Sequence, residues 1–212
     1  MDDIKENPWK KARNLQDLCN LTTQWLEGNI NLHFSQYAKP DIETQEILDF
    51  LIQFNQLGIL TDFSQPAQAL ENGNGQRACV SGFSNEVSAK KLAALNLSTD
   101  LIIFIFEPGW LYSKKAYGYS IPITVAEYHP FTWCGSVRGN EIDDFTYNKV
   151  LKDEAISSIV SSWHIVAIDL KWGRKAYLWD TLIKTLSKNT DSNNKYSVKP
   201  YPEHKLGVKF VY

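Results

Sequence analysis

Apolar positions along the chain alternate between two periods, and the clearest helical one begins after Pro40. Ile47, Leu48, Leu51, Phe54 and Leu57 recur at spacings of three and four, so they share one face of a helix. Asp41 stands where a helix cap belongs, and Asp41, Glu43 and Glu46 place negative charge near the positive end of the helix dipole. Gly58 suits a left-handed stop. Ile59, Leu60 and Thr61 then start a short apolar strand, and residues 62–66 turn away from it. An earlier helix carries Leu15, Leu18, Leu21 and Trp25 and ends at Gly28.

The remaining pattern predicts strands over residues 76–83, 99–106, 121–128, 131–133 and 164–170, and helices over 85–95, 153–163 and 175–186. Residues 99–106 read as the clearest buried strand, and 208–212 as an edge strand. Residues 29–40, 67–75 and 188–195 read as loops. Residues 1–13 form a polar arm, and 14–212 a single domain with no internal repeat or dividing linker. The predicted fold class is mixed α/β (α+β), with central β-sheets flanked by helices.

Composition narrows the function classes. With 212 residues, 43% of them hydrophobic, the chain can bury one well-packed core. A net charge of −2 and scattered Lys and Arg argue against nucleic acid as a partner. No apolar run is long enough for a membrane span, and the acidic N-terminal residues do not read as a secretory signal. Three widely spaced cysteines without a CxxC pair point to a reduced, cytoplasmic compartment, where they serve as small buried hydrophobes. His33, His129, His164 and His204 are isolated, so no metal site is expected, and His164, in an apolar strand, reads as a satisfied core histidine. Gly73 and Gly75 lack the third glycine of a dinucleotide loop, and the spacing of Cys79, His129 and Asp153 supports no nucleophile–base set. Trp133, Trp163 and Trp179 read as core, whereas Trp9 and Trp110 are freer to cover a ligand or partner.

Several motifs in fixed order carry a family resemblance. Glu43-Thr44 precedes Gly58-Ile59-Leu60-Thr61-x-x-Ser64-Gln65-Pro66, with Glu43 and Thr61 eighteen positions apart. Gln76-Arg77-Ala78-Cys79 opens a later strand, and Thr132-Trp133-Cys134-Gly135 is followed by Gly139-Asn140-Glu141-Ile142. Lys152-Asp153-Glu154-Ala155 with Trp163, and then Leu178-Trp179, complete the series. Over roughly residues 14–187 this order resembles the C-terminal regulatory domain of eukaryotic-type methylenetetrahydrofolate reductase. There are departures: one extra residue between Trp133 and Glu141, a shorter region before Asp41, and Cys79 and Gly82 where the family has larger residues.

The resemblance implies that the chain binds S-adenosylmethionine or S-adenosylhomocysteine, without flavin or metal. Matched motif by motif, the ligand-binding residues it implies are Glu43, Thr44, Thr61, Ser64, Thr132 and Thr146. A carboxylate can pair with the ligand's amino group or accept its ribose hydroxyls, and threonine hydroxyls donate and accept. A reductase barrel of roughly 250 residues does not fit in this chain beside such a domain, so the resemblance implies a stand-alone sensor acting on a separate protein partner. The alternative is an enzyme, a lyase or alkyl transferase consuming S-adenosylmethionine in the same pocket, with Glu43 as base or cation stabiliser.

Overall fold

The computed structural model describes residues 7–34, 39–109, 116–138 and 150–188. Asn14 accepts a hydrogen bond from the Asp17 amide and so caps α1 (Leu15–Leu26), which ends just before Gly28 at a φ of +79°. Leu18, Cys19, Trp25 and Leu26 bury its inner face. The 3-10 helix Pro8–Lys11 ahead of it carries Trp9 into the core, 1% exposed, with its indole N–H donated to the Leu32 carbonyl at 2.8 Å. Trp9 is therefore not free to cover a ligand. Burying so large a ring while satisfying its one donor is the more stable arrangement.

The stretch after Pro40 is not one continuous helix. Residues Ile42–Ile47 form a 3-10 helix, α2 (Leu48–Gln56) follows, and Asp41 makes no capping bond through its side chain. The apolar face explains the break. Ile47, Leu51 and Phe54 are buried, but Ile42 is 90% exposed, so nothing draws the first turns onto the core. Gly58 ends the element in the left-handed region, as its position implied.

Beyond Gly58 the chain does not turn away at Asp62. Strand β1 (Leu60–Gln65) pairs along its length with β4 (Cys79–Ser84), and a bulge between Thr61 and Phe63 supplies the bend. Residues 67–75, expected as a loop, hold a hairpin of β2 (Gln68–Glu71) and β3 (Asn74–Gln76). Its turn residues Asn72 and Gly73 have φ of +50° and +76°, the conformation that Asn-Gly pairs adopt most readily between antiparallel strands. All four residues of β2 are exposed, so the strand lacks the apolar alternation that would have revealed it.

The chain continues through α3 (Glu86–Ala93), capped by Asn85, then β5 (Leu101–Phe106), β6 (Ala116–Ala126), β7 (His129–Arg138), α4 (Asp153–Val160), β8 (Trp163–Asp169) and α5 (Tyr177–Ser187). Among the described residues the strands form two antiparallel four-stranded sheets, ordered β1-β4-β8-β5 and β2-β3-β6-β7. Helices flank them, giving the mixed α/β single domain that the pattern predicted. Among the described strands β5 ends the order of its sheet, and its continuous apolar run is covered in part because α3 packs against it. The central strands are β4 and β8, and they place Ser81, His164 and Asp169 inside the protein.

Gln65 joins the two sheets. Its amide nitrogen donates to the carbonyls of Arg77 and Ile123 at 3.2 and 3.3 Å, and its amide oxygen accepts from the Thr124 hydroxyl at 3.3 Å. Trp179 is fully buried and Trp163 half-buried, but Trp133 is 54% exposed on β7 and is not core. Residues 208–212, Thr146 and Trp110 lie outside the described residues.

Candidate functional site

Strand β1 and the helix before it build one cleft. Asn55, buried on α2, donates from its amide to the Leu51 carbonyl and the Thr61 hydroxyl, both at 2.9 Å. The Thr61 oxygen is thus held as an acceptor, and its own proton remains to donate outward. Next along the strand, the bulge aims Asp62 inward. This carboxylate accepts from the Ser81 hydroxyl on β4 and, at 3.0 Å, from Nε2 of His164 on β8. Gly82 makes the close approach of β1 possible, because a Cβ there would lie 2.6 Å from the Leu60 carbonyl oxygen.

The resulting cleft has a volume of about 150 Å³. Glu43, Thr44, Thr61 and Ser64, four of the residues implied by the motif match, line it. Asp41 and Asp62 add two carboxylates, and Trp25, His33 and Phe63 supply aromatic surface. Among the described residues that line it there are three carboxylates and no lysine or arginine, and this lining favours the cationic part of a ligand. It is smaller than the roughly 300–1,000 Å³ of pockets that hold whole cofactor-sized molecules, so it fits one end of such a ligand.

His33 sits at the back of this cleft, in a cluster of aromatic rings. Its ring centroid is 4.9 Å from Trp9, 4.7 Å from Trp25 and 4.3 Å from Phe34, and its Nε2 lies 3.3 Å from the Thr22 hydroxyl. Burial pushes its pKa down to about 3, so the folded protein keeps the ring neutral. The unfolded chain takes up the proton near 6.5, and stability is therefore complete above that pH and lost as pH falls from 6.5 toward 3. The His33 share of the loss between pH 7 and pH 5 is expected to be about 2 kcal/mol. Urea midpoints at the two pH values, compared with those of His33→Phe, measure it. Equal pH dependence in both proteins would contradict it.

Thr132 is not among the residues lining the cleft. Its hydroxyl donates to that of Thr124 at 2.7 Å, which in turn donates to Gln65, so it belongs to the link between the sheets. Asp62, Ser81 and His164 escaped the sequence reading of the site. Ser81 is 19 positions from Asp62 and His164 is 102, and only the pairing of β1, β4 and β8 brings them together. His164 is, as expected, a buried and partnered histidine, but its partner is a carboxylate of the cleft.

A second polar cluster lies at the end of β8. Asp169, wholly buried, accepts from the Lys171 amide at 2.9 Å and from Arg174 through Nε at 2.7 Å and through Nη2. Arg174 also grips Asp100 with two bonds of 3.0 and 3.1 Å, and its guanidinium lies over the Tyr177 ring. With Lys171 it holds the Asp100 carboxyl well below the usual carboxylate range. Every charge here has a partner, so the cluster is structural.

Among the described residues no group of three or more metal-ligating side chains converges, and no helix is long and apolar enough to cross a membrane. No curated protein matches the chain in sequence. One family does, over residues 4–189, and the chain belongs to it: the family described as Domain of unknown function (DUF6919).

Proposed function

We propose that the cleft binds S-adenosylmethionine or S-adenosylhomocysteine, and that the protein is a ligand-binding module which passes the bound state to a protein partner. The observation that supports this reading is the convergence of Glu43, Thr44, Thr61 and Ser64, assigned by motif, on one cleft. The cleft takes the aminoalkyl end of the ligand: carboxylates face its cationic groups, and the Thr61 and Ser64 hydroxyls reach its polar atoms.

Glu43 is exposed, so Glu43→Gln should leave folding intact while weakening binding about tenfold, the equivalent of one charge-assisted hydrogen bond. Thr61→Val should act similarly, because Asn55 keeps its bond to the Leu51 carbonyl. Melting curves with and without ligand read both effects. An identical ligand-induced rise in wild type and variants would rule out this site.

A second reading, an enzyme that consumes S-adenosylmethionine, draws on the Asp62–His164 pair at the cleft. Incubation of the protein with S-adenosylmethionine, followed by chromatography over hours, separates the two. Intact ligand with a raised melting temperature supports a binding module. Accumulating methylthioadenosine supports the enzyme.

A further inference from the structure

Cys79 and Cys134 are 55 positions apart in sequence, one on β4 and the other on β7. Their sulfur atoms nevertheless lie 3.0 Å apart, and both thiols are free. We propose that this pair is a site of reversible oxidation, forming a disulfide that ties the cleft-bearing sheet to the second sheet when the protein meets a peroxide. The proposal stands on the thiol pair alone and does not depend on the ligand reading above.

The two cysteines are placed for different roles. Cys134 is half-buried, whereas Cys79 is completely buried, so Cys134 is the more accessible residue of the two. Burial pushes the Cys79 thiol up and keeps it from solvent, which disfavours it as the sulfur that meets the peroxide first. The Cys134 sulfur attacks one peroxide oxygen and breaks the O–O bond, giving a sulfenic acid, and the departing oxygen takes up the proton that the thiol has lost and leaves as water, or as an alcohol from an organic peroxide. The Cys79 sulfur then displaces the sulfenic hydroxyl. That hydroxyl leaves with the Cys79 proton as a second water, and the S–S bond forms. Two thiols are oxidised by two electrons in all, and one peroxide is reduced. The sulfurs need to approach by about 1 Å to reach bonding distance, a displacement within the reach of side-chain torsions.

The position gives the bond a consequence. Cys79 pairs across β4 with Gln65, the last residue of the strand that carries Thr61, Asp62 and Ser64. Cys134 pairs with Ile121 on the second sheet. A covalent link between them reinforces the junction that Gln65 otherwise holds by hydrogen bonds.

The test treats the purified full chain with hydrogen peroxide, alkylates the remaining thiols, and reads intact mass and peptide maps. The expected result is a loss of about 2 Da before alkylation, a peptide crosslinked through Cys79 and Cys134, and reversal by dithiothreitol. Cys19, buried on α1 with its thiol pushed up to about 12, stays reduced and serves as the internal reference. The melting temperature should rise on oxidation in wild type and in Cys19→Ser, but not in Cys134→Ser. The proposal is overturned by either of two results. One is that all three thiols stay open to alkylation at a peroxide exposure that fully oxidises dithiothreitol. The other is that Cys134 advances to sulfinic acid while Cys79 remains a thiol.

Discussion

Replacing Asp169 with alanine is expected to lower the stability of the fold by about 2–4 kcal/mol. Asp169 is wholly buried at the end of a central strand, and its carboxylate is the acceptor for Arg174 and for the Lys171 amide. Without it, the amide loses its acceptor and Arg174 keeps Asp100 and the face of Tyr177 but loses its buried partner. The turn between β8 and α5 would then lose the contacts that set its direction. Urea denaturation followed by circular dichroism measures the effect. Asp100→Ala, at an exposed carboxylate of the same cluster, should have a much smaller one. Equal midpoints for wild type and Asp169→Ala would show that the cluster contributes nothing to the fold.

The second large effect is on ligand affinity. Asp62→Asn should weaken binding of S-adenosylmethionine by about 1.5–3 kcal/mol, roughly 10- to 150-fold, while the domain stays folded. The amide oxygen still accepts from Ser81, and the amide nitrogen can donate to a ring nitrogen of His164, so size and hydrogen bonding survive while the charge is lost. Asp62→Ala separates the structural share from the electrostatic one, since it leaves Ser81 and His164 buried without their carboxylate acceptor. It should destabilise by about 1–3 kcal/mol. Isothermal titration of the two variants beside wild type checks both figures. Unchanged affinity in Asp62→Asn would remove Asp62 from the site.

The parts of the fold legible in sequence are those whose signal is local. The helices that stop at Gly28 and Gly58 were legible in their apolar faces and their C-terminal ends, because apolar spacing and a left-handed glycine are both short-range features, but the start expected at Asp41 proves to be a 3-10 helix. The bulge at Asp62 reads as a turn in the sequence because a bend and a strand interruption leave the same polar signature. The hairpin at Asn72–Gly73 reads as a plain loop in sequence, because its strand β2 is exposed and carries no apolar alternation. Thr61 and Ser64 could be named from a motif because they sit on one strand. Asp62, Ser81 and His164 could not, because their proximity is made by sheet order, which leaves no mark at the residues themselves. The same holds for Cys79 and Cys134, whose wide spacing looked inert until the two sheets met.

Isothermal titration of the wild-type protein with S-adenosylmethionine, repeated with S-adenosylhomocysteine, tests most directly whether the cleft is a ligand site. A saturable one-site isotherm is predicted for at least one of the two, weakened by Glu43→Gln and by Asp62→Asn. Flat titrations with both ligands, on protein shown to be folded by its melting transition, would contradict it.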